Sequence, residues 1–150
     1  MALKTQLEND IKTALLGGDR FVADVLRNFK AVILNEEVAQ NKRDVGLDDS
    51  TIEQLILKEL KKRAESAGLY DGAGRPELAD NERAEAKVLE QYQPEQISED
   101  DIKVVVEKAI ADLGVSGPQA MGQVIGVVKK QLGNAADGGV IARIVKDALN

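Results

Sequence analysis

The stretch "YQPEQISEDD", Tyr92–Asp101, decides how the chain is divided. Helical periodicity runs up to Tyr92 from one side and resumes at Ile102 on the other. Pro94 lacks a backbone donor, and it pushes the residue before it away from the helical region. Ser98 followed by Asp101 reads as the cap of a new helix. Residues 1–93 and 97–150 are therefore expected to form separate units, with a hinge at 93–97.

Working back from the hinge, Leu3, Leu7, Ile11 and Leu15 recur every four residues until Gly17-Gly18 stops them, which predicts a first helix. A second spans Arg20 to Arg43, with a main stripe of Val22, Leu26, Phe29 and Ile33. Ala31, Leu34 and Val38 give it another apolar side, so neighbours are expected on two sides. Ser50 and Glu53 form a capping-box pattern opening a third helix, from Thr51 to about Ala67. Gly72 and Gly74 break it, and Pro76 opens a fourth that runs to Tyr92. Beyond the hinge come three short helices. The first is built on Ile102, Val105, Val106, Ala109, Ile110 and Leu113; the second follows Pro118; Asp137 caps the last. No segment alternates as a strand does. The fold class expected is all-α, a four-helix N-terminal domain followed by a small three-helix C-terminal domain.

Composition narrows the chemistry. Aromatics are 3% of the 150 residues, so the core must be aliphatic. The chain has no Cys and no His, which excludes disulfides, thiol chemistry, Ser-His triads and Cys/His zinc sites. Its net charge is −6, which argues against broad electrostatic binding of nucleic acid but leaves room for a local basic patch. No apolar run is long enough to cross a bilayer, and Glu8 and Asp10 in the first helix are unlike a transit peptide. The expected location is the cytoplasm. No membrane, DNA, metal or cofactor is expected as a partner.

Several polar residues fall on faces that should be buried. Arg63 interrupts the stripe Ile52, Ile56, Leu60, Ala67. Glu82 and Glu85 fall within Leu78, Leu89, Tyr92, and Glu36 ends the second helix's stripe. Such a cluster could hold a divalent cation or do acid–base work. It could equally be a structural ion-pair network that fixes helix register. The network is preferred, because an inward arginine needs carboxylate partners in any case. The lysines of "KELKKR" read as a solvated face, and "DGAGRPE" as a helix-breaking linker rather than an anion cradle.

"MGQVIGVVKKQLGNAADGG", Met121–Gly139, carries glycines inside a helical rhythm. Each costs a helix roughly 1 kcal/mol relative to alanine. With Met121, Ile125, Val128 and Leu132 as the core stripe, Gly122, Gly126 and Lys129 form a strip about 80–140° round from Met121. Close packing of a neighbouring helix is the first expectation; approach of a ribose-phosphate backbone, with Lys129 and Lys130 pairing its charge, is the second.

"MGQVIGVVKKQLGNAADGGVIARIV" resembles the tail domain of GatB, a subunit of the tRNA-dependent amidotransferase. "LRNFKAVILNEEVAQNKRDVGLDD" and "LKKRAESAGLYDGAGRPELADNERAEAKVLEQYQPEQISEDDI" resemble the stand-alone YqeY family, also called GatB/YqeY-like. The likeness covers nearly the whole chain, with Tyr92-Gln93-Pro94 where members often read Tyr-Leu-Pro. It implies an all-helical N-terminal domain and a small helical tail of the kind that helps hold tRNA. It also brings a carbon–nitrogen ligase label with glutamine as amide donor. The large catalytic part of GatB has no counterpart here, so the label reads as inherited and an enzyme is not expected. The expected function is a non-catalytic binding module for tRNA or a tRNA-processing protein complex. Its candidate contacts are Gly122, Gly126, Lys129, Lys130, Arg143 and Lys146. Docking on a protein through the N-terminal helices is the alternative, and amidotransferase activity a weaker one.

Overall fold

A computed structural model describes residues 2–150. Among them are seven α-helices and no strand: α1 (Ala2–Leu16), α2 (Arg20–Ala39), α3 (Asp49–Gly72), α4 (Pro76–Glu90), α5 (Glu99–Leu113), α6 (Met121–Leu132) and α7 (Gly138–Leu149). Short 3₁₀ turns at Pro118–Ala120 and Gly133–Ala135 lead into and out of α6. The chain divides into two compact units, Met1–Gln93 and Pro94–Asn150.

The first unit is built on helix caps and one long pair of helices. Asp19 accepts from the Val22 N–H at 3.1 Å to start α2. Asp48, rather than Ser50, starts α3, accepting from the Thr51 N–H at 2.8 Å. α3 runs past Ala67 to Gly72 and pairs with α4 more extensively than any other two helices pair. α2 stops at Ala39, short of Arg43, and Asn41 takes a left-handed φ of 55°. The connection that follows is not a solvated loop throughout, because it carries Leu47 into the core at 0% exposure. Leu47 joins Leu7, Leu26, Phe29, Ile33, Ile56 and others in one apolar cluster. The second apolar side of α2 does not pack as expected. Ala31 and Val38 are exposed, and Ala23 and Val25 are buried instead. Likewise Leu78 of α4 is turned outward and Ala79 is buried.

Two polar contacts close this unit. Tyr92 donates its hydroxyl to Asp10, tying the end of the unit to α1. Burial of the phenol and that carboxylate both push the Tyr92 pKa up. The second contact lies deeper. Glu37, 1% exposed, is the one buried charged residue among those described. It accepts from Lys4 Nζ at 2.6 Å, with Arg43 Nη1 at 3.9 Å. The Lys4 hydrogen bond holds its carboxyl below the usual range; burial opposes that, while the Leu47 backbone N–H and Arg43 add to it.

The second unit has its own cluster, around Ile102, Val106, Val124, Val128, Ile141 and Val145. Ser98 Oγ accepts from the Asp101 N–H at 3.1 Å to open α5. Gly114 ends α5 at φ 64°, a left-handed position that favours glycine. Asp137 Oδ1 accepts from the N–H groups of Gly139 and Val140 to open α7. Residues 96 and 97 are fastened to this unit, since Ile97 N–H donates to Ala135 O at 3.0 Å and Gln96 Nε2 to Asn134 O at 2.8 Å. The free part of the linker is therefore narrower than the hinge expected at 93–97.

Two outcomes are expected. A protease that cuts after acidic residues should cleave the native chain first at the exposed Glu95 in the linker. First cuts inside Ile102–Leu132 would contradict separate units. Separately, Glu37→Gln should cost about 1.5–3 kcal/mol at pH 7, the range for hydrogen bonds to charged groups. Because the folded carboxyl titrates below its unfolded value, its contribution is complete above the unfolded pKa of about 4.3 and disappears as pH falls through the folded pKa. Urea midpoints of the two proteins should accordingly converge as the pH drops below about 4.

Candidate nucleic-acid interface

α6 has no acidic residue, and none occurs from Leu113 through Ala136. In a chain with 26 acids this is a local departure from the overall charge. Burial on α6 is centred on Val124 and Val128, both 0% exposed, while Met121, Ile125 and Leu132 are partly buried. Val124 lies on the side of the core stripe away from the glycines. That rotates Gly122 and Gly126 toward solvent.

The glycines are not packing residues. A Cβ at Gly122 or at Gly126 would meet nothing within 4 Å. This overturns the first expectation for them, since no neighbouring helix needs the space. Both positions are exposed, with bare backbone facing outward. Lys129 and Lys130 are exposed in the last turn of the same helix, where cations suit the carbonyl end. The Lys129 side chain reaches across to α7. Its Cε and Nζ lie 3.2 and 3.3 Å from where a Gly138 Cβ would stand. Its ammonium thus lies close to the backbone at the amino end of α7.

The other two cations differ. Arg143 Nη2 donates to Glu99 Oε1 at 2.7 Å, and this pairing, with Asp147 nearby, raises its pKa. It is engaged with α5, away from the acid-free helix. Lys146 is exposed in the last turn of α7.

In the first unit, Arg63 Nη1 bonds Glu85 and stands 3.6 Å from Glu82 Oε2. Its side chain is 14% exposed, against 22% and 24% for the two acids, so the group is half-sheltered rather than sealed. Glu36 is not part of it. That carboxylate accepts from Gln40 Nε2, one turn on, at 2.6 Å. The acid that is buried is its neighbour Glu37. Arg83, which bonds Asp71 and Asp80, adds an exposed ion pair that links α3 to α4. Among the described residues no three acids converge as a metal ligand set would.

A family model described as Yqey-like protein matches residues 4–149. The chain belongs to the YqeY-like family. Its curated relatives include three proteins called altered inheritance of mitochondria protein 41, mitochondrial. The one from Pyrenophora tritici-repentis is 26% identical over 147 residues, covering 96% of this chain and 79% of the relative. The one from Kluyveromyces lactis is 27% identical, covering 75% of this chain and 60% of the relative. The one from Vanderwaltozyma polyspora is 29% identical, covering 71% and 58%. The two yeast alignments thus leave about two fifths of each relative unmatched. The names of these three relatives place them in mitochondria. No helix among the described residues of this YqeY-like chain is long and apolar enough to cross a membrane.

For the α3–α4 ion pairs, Arg63→Ala is expected to cost about 1.5–3 kcal/mol, because it removes charge-assisted hydrogen bonds from a sheltered site. A fully exposed pair would cost under about 1 kcal/mol. An unchanged urea midpoint would show that the network does not hold the two helices.

Proposed function

We propose that this YqeY-like chain is a non-catalytic helical module that binds tRNA, alone or within a tRNA-dependent amidotransferase or aminoacylation complex, through its C-terminal unit. The observation that carries the reading is the open space over Gly122 and Gly126. Glycines in a helix interior are destabilising unless a close approach needs them. No helix of this unit makes that approach, so a ligand backbone is the remaining candidate. Lys129 and Lys130 supply the charge that phosphates require, on a helix with no acid to repel them. Lys146 is kept as an outer contact, and Arg143 is set aside because Glu99 holds it.

The two compact units are proposed to fold as independent domains, the first acting as the frame and the second as the binding part. The cytoplasmic setting belongs to the same proposal. Docking on a protein through the N-terminal helices is the second reading. It is favoured by Leu16, 92% exposed, beside the outward-facing Leu15 and Phe21 at the α1–α2 turn.

The test uses paired variants and unmodified tRNA. Gly126→Ala should raise stability by about 0.5–1 kcal/mol, because the added methyl removes helix-disfavouring freedom and meets no neighbour. The same change should weaken tRNA binding. Lys129→Ala should leave the fold intact and reduce the salt dependence of binding by about one phosphate contact. If tRNA does not bind even at low salt, the RNA reading fails and the protein-docking reading takes its place.

A further inference from the structure

On another side of the second unit the electrostatics reverse. An open cleft of ≈ 630 Å³ lies between α5 and α7. Its floor is apolar, formed by Ile110 and Ile144 with the small side chains of Ala111 and Ala148. Its rim carries four carboxylates, Glu99, Asp100, Glu107 and Asp147, against two cations, Lys103 and Arg143. One of those cations is already neutralised by Glu99 at 2.7 Å. One exposed apolar residue, Val104, shares a face of α5 with part of the rim. Asp100, Val104, Glu107 and Ala111 follow the spacing of one helical stripe, and Val104 is 64% exposed.

We infer that the α5–α7 cleft is a docking groove for a basic amphipathic helix of a partner protein. The alanines let another helix come close, and the isoleucine floor takes its apolar side chains. The surplus carboxylates select lysine and arginine on its flanks. Phosphate ligands are disfavoured by the same rim. A second copy of this chain is disfavoured as well, because a two-fold contact would set acidic rim against acidic rim. The site is separate from the α6 face, so it does not depend on the tRNA reading.

The experiment uses the full chain and a labelled synthetic helix-forming peptide of about 14 residues, four turns, with leucines at i, i+4 spacing and lysines on both flanks. A matched peptide with glutamate for lysine is the control. The lysine peptide should bind saturably at low salt and perturb the backbone amide resonances of Ile110, Ala111, Ile144 and Ala148. The glutamate peptide should not bind. Glu107→Lys should weaken binding about tenfold by reversing one rim charge. Ala111→Gln, at an exposed position the fold tolerates, should do the same by filling the groove without changing charge. Lys129→Ala should leave peptide binding unchanged. The inference is overturned if the perturbations fall elsewhere, if both groove variants bind as the parent does, or if the glutamate peptide binds equally well. It is also overturned if the chain self-associates and Glu107→Lys abolishes that association, which would give the groove to a second copy.

Discussion

The ion pair between Glu37 and Lys4 is the contact on which the first unit turns. Burying a carboxylate is costly unless it is paired and hydrogen-bonded, so a site this enclosed restricts everything around it. Lys4 must come from α1, which fixes how α1 lies against α2. Arg43 and the Leu47 backbone must come from the connection after α2, which fixes the path of that connection. With the path set, Leu47 enters the core and Asp48 reaches the position where it can start α3. The Leu3 N–H donating to Asp49 Oδ1 at 3.1 Å joins the same corner from the other side. Three helices thus take their placement from one acid in a largely apolar interior.

Why Glu37 and not Glu36 has this role is a useful measure of what periodicity can resolve. Taking Val22, Leu26, Phe29 and Ile33 as the stripe, the two acids lie about 50° to either side of its centre. Nothing in the helix itself separates them. Only Lys4 of α1 and the fold of the 40–48 connection do, and the first of these is distant in sequence. The same reason explains Leu47, whose neighbours Gly46 and Asp48 read as loop chemistry. By contrast, the starts of α4, α5 and α7 were legible from Pro76, Ser98 and Asp137, because a cap acts on residues two or three away. The Arg63–Glu85 contact was legible too, since an arginine inside an apolar stripe needs an acid on the facing helix. The α5–α7 cleft was not, because the residues that line it from the two helices stand more than thirty positions apart.

The glycines of α6 show the limit in another way. Their spacing is compatible with close packing and with open surface, and choosing between these requires knowing which residue sits at the centre of the buried face. A stripe read from Met121, Ile125, Val128 and Leu132 leaves the glycines at the margin, where a neighbour is conceivable. Moving the centre toward Val124 carries them into solvent. That small rotation changes the meaning of the motif. It also gives the second unit an acid-free face on α6 and an acid-rich groove between α5 and α7, on a body with few residues to separate them.

The exposed glycines have an effect on motion as well. Gly126 in the interior of α6 weakens the helix by roughly 1 kcal/mol relative to alanine, and Gly122 in its first turn adds less, from a total stability of only about 5–15 kcal/mol for an ordinary domain. α6 has twelve residues and is flanked by 3₁₀ turns at both ends, so it has little regular structure to draw on. It is therefore the element of its unit most prone to open locally while the rest stays folded. Its amides should exchange with solvent through such openings sooner than those of α5 or α7. A ligand seated across Gly122 and Gly126 would suppress them, so that occupancy of this face is recorded as rigidity in a helix that is otherwise intermittently loose.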